Sequence, residues 1–152
     1  KVQRGSLEQR LADFANKEGN LSIRLCSKLE QDIAILSDNE KDMFLKEYNL
    51  PEPGLYKLIH AAFKLLGLET FFTGGPKQVR SWTINEGTTA PHAAGEIHTD
   101  FQRGFIKAEV FKYDDLVRLG SEKAVKDAGL AKLHGKNYVV QDGDCIYFHF
   151  NV

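Results

Sequence analysis

Much of what commonly announces a function is scarce in this chain. It has two cysteines, Cys26 and Cys145, far apart and each in an apolar context. That is neither a disulfide framework nor a thiolate zinc spacing, and it suits a reducing compartment. Neither sign of charge is in surplus: 20 Lys and Arg stand against 21 Asp and Glu, so no global field draws the molecule to nucleic acid or membrane. The balance holds locally, with 10 basic and 10 acidic side chains in residues 1–66 and 10 and 11 in residues 67–152. Any RNA contact must therefore come from a local patch. No apolar run approaches the ~20 residues of a membrane helix, and the start shows no signal-peptide pattern. Repeats and low-complexity tracts are absent. His60, His92, His98, His134 and His149 form no His-x₃-His pair, so no metal site is expected.

The phosphate-binding pattern Gly-x-x-x-x-Gly-Lys-Ser/Thr is missing as well. The one Gly-Lys pair is Gly135-Lys136, and Asn137 follows it. Phosphates need surrounding backbone amides and a Lys, with a hydroxyl for Mg²⁺. The chain alone is therefore expected not to hydrolyse a nucleotide.

What is present begins with a hydrophobic share of 42%, enough for a core. Leu7, Leu11, Phe14 and Ala15 recur at helical spacing, with Gly19 as the stop. Asn20–Cys26 alternates as a short strand, and a helix carrying Leu29, Ile33 and Leu36 follows. Strand, polar loop and helix form the unit of parallel α/β sheets. Ser37-Asp-Asn-Glu40 is a capping box, Pro51-Glu-Pro-Gly54 a break, and Leu55–Leu66 an apolar stripe ending at Gly67. With only Lys57 and Lys64 as cations, that stripe is read as core or interdomain packing, not a membrane-surface helix.

The second part is β-rich. Val79–Ile84 reads as a strand. Thr88–Phe101 reads as a short helix, with Thr88 or Thr89 as its cap, Pro91 in its first turn and a small-residue face of Ala90, Ala93, Ala94 and Ile97. Phe105–Phe111 alternates as a strand, and Tyr138–Phe150 reads as a closing pair of strands around Asp142-Gly143. Phe71, Phe72 and Trp82 are taken as core aromatics. Strand, packed helix, strand and a terminal pair is an α+β layout, that of a β-grasp or ubiquitin-like domain.

Several blocks carry a more specific likeness: Gly87-Thr-Thr-Ala-Pro, Ile97-His-Thr-Asp-Phe, Gly104-Phe-Ile-Lys-Ala-Glu-Val, Gly135-Lys-Asn-Tyr-Val-Val-Gln-Asp-Gly-Asp and Phe148-His-Phe-Asn-Val152. In order and wording they resemble the TGS domain ending the YchF subfamily of Obg-like ATPases. The likeness extends upstream through Leu68-Glu-Thr-Phe-Phe-Thr-Gly-Gly-Pro76 and fades near the first twenty residues. Gly74-Gly75 stands where the family pattern has Ala-Gly, and it is expected to loosen an interdomain turn. The resemblance implies residues 1–66 as the end of a P-loop nucleotide-binding domain, with its final βα unit and a helical connector, and residues 67–150 as the TGS domain. It implies a C-terminal fragment, an expectation that also fits a chain opening at Lys1 inside a helical pattern.

The resemblance further implies a cytoplasmic protein that binds and hydrolyses ATP or GTP with Mg²⁺ and associates with ribosomes and RNA, the TGS module serving as docking surface. Leu25-Cys-Ser-Lys-Leu-Glu30 resembles the family's last nucleotide-contacting loop, making Cys26, Ser27 and Lys28 base-loop candidates. An ordinary strand-to-helix turn capped by Ser27 is the alternative there. The Mg²⁺-binding Asp loop and the base-reading Asn loop of the family are not in this chain.

Alternation in Phe105–Phe111 and Cys145–Phe150 predicts a partly open face of Phe105, Lys107, Phe111, Tyr147 and His149, with Ile106 opposite Ile97 in the core; that face is either a partner-docking surface or interdomain packing under the Leu55–Leu66 helix or the nucleotide domain. Arg80, His98 and Arg103 are further docking candidates. His98 and Asp100 invite an acid–base reading, but no nucleophile sits at readable spacing, and a turn-forming role fits better. The rival functions are a free-standing β-grasp adaptor without nucleotide hydrolysis, and the regulatory TGS region of a synthetase or stringent-response enzyme.

Overall fold

The computed structural model describes residues 4–75 and 78–151, which fall into two units, Lys1–Leu66 and Gly67–Val152.

The first unit holds four helices among its described residues: α1 (Arg4–Lys17), α2 (Ser27–Ala34), α3 (Asp38–Glu47) and α4 (Gly54–Leu65). Gly19 ends the first turn region at φ 72°, a left-handed conformation that glycine adopts without a side-chain penalty. The Glu40 carboxylate accepts from the Ser37 backbone N–H at 2.9 Å, the return bond of a capping box, and also from the Ser37 hydroxyl at 2.5 Å. One long-range tie is invisible to pattern. Glu30, on α2, places its carboxylate at the start of α4, accepting from the Gly54 N–H at 2.8 Å and the Leu55 N–H at 3.2 Å. Negative charge there satisfies free amides and opposes the helix dipole. Gly54 is buried in this contact, and a Cβ on it would collide with Leu25 and Glu30.

The expected strand Asn20–Cys26 is not formed. Alternation supplies the side-chain pattern of a strand, but a strand exists only with a hydrogen-bonded neighbour, and no strand lies among the described residues of this unit. Leu21 and Leu25 are correspondingly exposed.

The second unit is α+β, built on a five-stranded sheet in the order β2-β1-β5-β3-β4, from β1 (Leu68–Gly75), β2 (Gln78–Asn85), β3 (Phe105–Lys112), β4 (Lys132–His134) and β5 (Asp144–Phe150). Between β2 and β3 come α5 (Ala90–Ile97) and α6 (Thr99–Arg103); after β3 come α7 (Tyr113–Leu119) and α8 (Glu122–Asp127). The β1 and β2 strands pair antiparallel over eight consecutive positions, Leu68 opposite Asn85 through Gly75 opposite Gln78. Gly74 and Gly75 thus finish a strand; they are not the interdomain turn the sequence suggested.

The terminal pair of strands is also different. Residues 138–141 form no strand, only an isolated bridge between Thr89 and Val139. Instead β5 runs through the middle of the sheet, parallel to β1 and antiparallel to β3. Gly143, at φ 76°, makes the turn into it.

Both faces of the sheet are packed. On one, Phe71, Ile84, Ala108, Val110, Ile146 and Phe148 meet Ala90, Ala93 and Ala94 of α5, whose small side chains permit close approach. The other face, expected to be partly open or covered by the first unit, carries a smaller cluster of Phe111, Val125 and Cys145, flanked by Phe72, Leu116 and Leu119. Helices α7 and α8 supply that cover. Asp114 and Asp115 lie in the first turn of α7, and Gly120 closes it at φ 77°. The Ser121 hydroxyl then accepts from the Ala124 N–H and opens α8.

Candidate interaction surface

A register shift in the β3–β5 ladder between Phe105 and Lys107 decides which side chains reach solvent. Strict alternation puts Phe105 beside Lys107 and buries Ile106. A bulge carries one extra residue, so side chains before it change faces relative to those after it. Phe105 therefore joins the core at 5% exposure, while Ile106 stands at 55%. The expected contact between Ile97 and Ile106 fails for the same reason: Ile97 packs on the main core and Ile106 is outside it. Phe111, another predicted docking residue, is 8% exposed beneath Val125. Neither phenylalanine is available to a partner.

What remains of the expected face is a smaller patch. Lys107 lies opposite His149, and Glu109 opposite Tyr147, on adjacent strands. The Tyr147 and His149 rings meet edge to face with centroids 5.0 Å apart. Tyr147 is exposed, while Lys107 and His149 are partly so. Lys126 of α8 reaches Glu109 at 2.8 Å, so its charge is matched, and that carboxylate raises the ammonium pKa.

His98, Asp100 and Arg103 form a second locus. His98 is the N-cap of α6; its Nδ1 accepts from the Asp100 N–H at 3.2 Å. The Asp100 carboxylate lies 3.5 Å from His98 Nδ1 and 3.7 Å from the Arg103 guanidinium. This is capping geometry, and Phe101 beside it stacks on Phe150 at 3.9 Å. Similarly, the Thr89 hydroxyl does not cap α5: it pairs with His92 Nδ1 at 2.8 Å, and Thr88 donates to the Asn85 carbonyl.

Arg80 belongs to a third place. Alternation along β2 puts Arg80, Trp82 and Ile84 on the α5 side of the sheet. Ile84 is buried and Trp82 packs at the core margin, while Arg80 is exposed with its guanidinium 5.9 Å from the indole centroid. The indole N–H donates to Thr73 Oγ1 at 2.9 Å. Beyond the end of α5 this leaves an open groove of about 500 Å³ lined by Thr73, Gly74, Gly75, Gln78, Arg80, Trp82 and Ile97. Trp82 is thus the wall of a groove as well as a core aromatic, a role that Arg80-x-Trp82 on an edge strand could have signalled.

In the first unit Cys26, Ser27 and Lys28 are exposed at the start of α2. Cys26, not Ser27, takes the N-cap position, and no side-chain capping bond forms. Lys28 reaches Asp32 at 2.8 Å; that hydrogen bond raises its pKa. Among the described residues no group of three or more His, Cys, Asp or Glu could hold a metal ion, and no helix is long and apolar enough to cross a membrane.

The feature that sequence reasoning missed is the buried carboxylate of Asp144, which has no exposed surface. Its Oδ2 accepts from the Tyr138 hydroxyl at 2.7 Å and the Gln141 N–H at 2.9 Å, and Lys112 Nζ stands 2.6 Å from Oδ1. Burial, and then this bond, raise the Tyr138 pKa. The loop before β5 is tied to β1 too, Asp142 accepting from the Thr70 N–H at 2.8 Å.

Comparison with known proteins bears on what these surfaces serve. The family model YchF-GTPase_C, described as a protein of unknown function (DUF933), matches residues 68–151. The ribosome-binding ATPase YchF of Pasteurella multocida is 50% identical over 143 residues, 94% of this chain and 39% of the relative. Obg-like ATPase 1 of Rattus norvegicus is 53% identical over 133 residues, 88% of this chain and 33% of the relative. The solved YchF GTPase of Schizosaccharomyces pombe superposes with a TM-score of 0.72 at 36% identity, covering 86% of this chain and 34% of its own. The chain therefore spans well under half the length of these relatives.

Proposed function

Since this chain belongs to the YchF family of Obg-like ATPases, whose C-terminal model covers its β-grasp unit, we propose that it is the ribosome-docking part of a nucleotide-hydrolysing protein. The relative from Pasteurella multocida is named ribosome-binding. In this chain the surface best suited to that task is the patch of Lys107, Tyr147 and His149. The Tyr147 ring, the His149 imidazole and the Lys107 ammonium stand together there on neighbouring strands, a combination that stacks on unpaired bases and neutralises phosphate. That adjacency carries the proposal.

The nucleotide side of the function is assigned to the full-length protein. ATP or GTP with Mg²⁺ would be bound by segments outside this chain, which has no phosphate-binding loop. The Cys26–Lys28 turn would contribute at most a backbone approach to the base. Residues 1–66 would form the end of the nucleotide domain with its helical connector, and residues 67–150 the TGS module acting in translation regulation in the cytoplasm.

The test is ribosome co-sedimentation of the 152-residue chain with Lys107→Glu and Tyr147→Ala variants shown to be folded by circular dichroism. Both variants should sediment less. Stacking contributes about 1–3 kcal/mol per base, so Tyr147→Ala should weaken binding by about tenfold. Near-zero net charge predicts a shallow salt dependence. Unchanged binding by both variants would move the docking site to Arg80, Arg103 and the loop after His98.

A further inference from the structure

The β2 strand is an edge. Among the described residues of its unit it pairs with β1 and has no strand on its other side. Edges offer unpaired N–H and C=O groups to any passing chain, and proteins usually blunt them with proline, a bulge, an inward charge or brevity. Proline, a bulge and brevity are absent here, and the one charge on the strand, Arg80, lies on the α5 side. Gln78-Val-Arg-Ser-Trp-Thr-Ile-Asn85 is eight residues long, contains no proline, and runs against β1 without a register shift. The other edge, β4, is three residues long.

Beside this edge lies the groove walled by Trp82 and Ile97. Arg80 is the one charged side chain among the described residues lining it. An added strand on β2 would direct alternate side chains over the groove, on the same face as Arg80, Trp82 and Ile84. The groove is therefore suited to aliphatic side chains on that face and a carboxylate opposite Arg80. A nucleic-acid base fits less well, because the guanidinium already lies over the indole and the indole N–H is committed to Thr73.

We propose that β2 binds an extended segment of a partner protein by strand addition, the segment presenting aliphatic side chains at alternate positions and an acidic residue to Arg80. Main-chain hydrogen bonds supply the attachment, and the Trp82–Ile97 groove supplies selectivity. The site lies on the α5 side of the sheet, away from Lys107 and Tyr147, and does not depend on the ribosome-docking proposal.

The probe is the peptide Thr-Ile-Thr-Ile-Thr-Asp-Thr, whose two isoleucines and aspartate share one face, blocked at both ends and titrated into the ¹⁵N-labelled full chain. Shifts should concentrate in β2 and around Trp82 and Ile97, and alternate β2 amides should exchange more slowly with solvent. Replacing the peptide's second isoleucine by proline removes a ladder donor and should abolish binding. Arg80→Glu, at an exposed position, should keep the parent circular dichroism spectrum and weaken the peptide by about fivefold or more. Three results would each overturn the proposal. One is no change in β2 at peptide concentrations up to about 1 mM. Another is equal binding of the proline peptide or by Arg80→Glu. The last is a uridine oligonucleotide perturbing the Trp82 groove where the peptide does not.

Discussion

The hydroxyl of Tyr138 and the fully buried carboxylate of Asp144 are joined by a 2.7 Å hydrogen bond that ties the loop before β5 to the strand itself. Oδ2 also receives the Gln141 N–H, and Oδ1 has the Lys112 ammonium, so one charge organises three segments. Removing it strands several donors at once. Asp144→Ala should cost about 3–5 kcal/mol, as losing one side of a buried ion pair does. Tyr138→Phe, which leaves the other two partners, should cost about 1.5–3 kcal/mol. Urea unfolding followed by the fluorescence of Trp82, the single tryptophan, reports on this unit specifically. Equal midpoints for Asp144→Ala and the parent would mean the carboxylate is not structural.

Glu69 should make the unit less stable as pH rises. Burial raises its pKa above the ordinary 4.5, and Glu86, Asp142 and Asp144 add to the effect. Its Oε2 is buried without a hydrogen-bond partner. Between 4.5 and the raised folded value, the folded state holds a proton that the unfolded state has lost, so stability falls through that window. Glu69→Gln should raise the melting temperature at neutral pH and give no gain below 4.5, where both states are protonated without the substitution. A gain independent of pH would assign the effect to packing instead.

Gly104 is required for space, not for backbone conformation. Its φ is −89°, which any residue adopts, but a Cβ would run into the backbone of Asn151. Asn151 in turn donates its N–H to the Gly104 carbonyl at 2.9 Å. Gly104→Ala should cost about 1–3 kcal/mol as an overpacked contact. Thermal melting of the variant is the measurement, and a loss within error would show that the end of β5 moves aside freely.

The two thiols should differ sharply in reactivity. Cys26 is exposed, whereas Cys145 is buried and its pKa is pushed up to about 11 by desolvation and by Asp144. One equivalent of thiol should react with an aromatic disulfide reagent in the native chain, and the second only on unfolding. Two fast equivalents would place Cys145 outside the core cluster it shares with Phe111 and Val125.

The architecture was legible wherever a local signal had a local cause. Gly19, the Ser37–Glu40 box and the small-residue face of α5 all behave as their spacing dictates. What alternation could not reveal was a bulge, since an extra residue is defined by the partner strand; Phe105 and Ile106 exchange places because of it. Nor could it supply the neighbour that residues 20–26 need to become a strand. Asp144 was hidden for a related reason. In an Asp-Gly-Asp run every residue reads as turn, and only the distant Lys112 and Tyr138 make one of them core. Of the docking candidates on β3 and β5, Lys107, Tyr147 and His149 still come together; Phe105 is turned into the core by the bulge, and Phe111, on their face, is buried with Val125.

The order of the sheet has a consequence for biosynthesis. Its middle strand, β5, is also the last of the five to be made. Until residues 144–150 have emerged from the ribosome, β1–β2 and β3–β4 are separate hairpin-like pairs with nothing between them, each exposing the edge that β5 will occupy. Parallel and antiparallel ladders then close together when a single segment arrives. Nascent chains stopped short of Asp144 should accordingly be substrates for proteolysis and for holding chaperones, and the arrival of residues 144–150 becomes the trigger for this unit to fold.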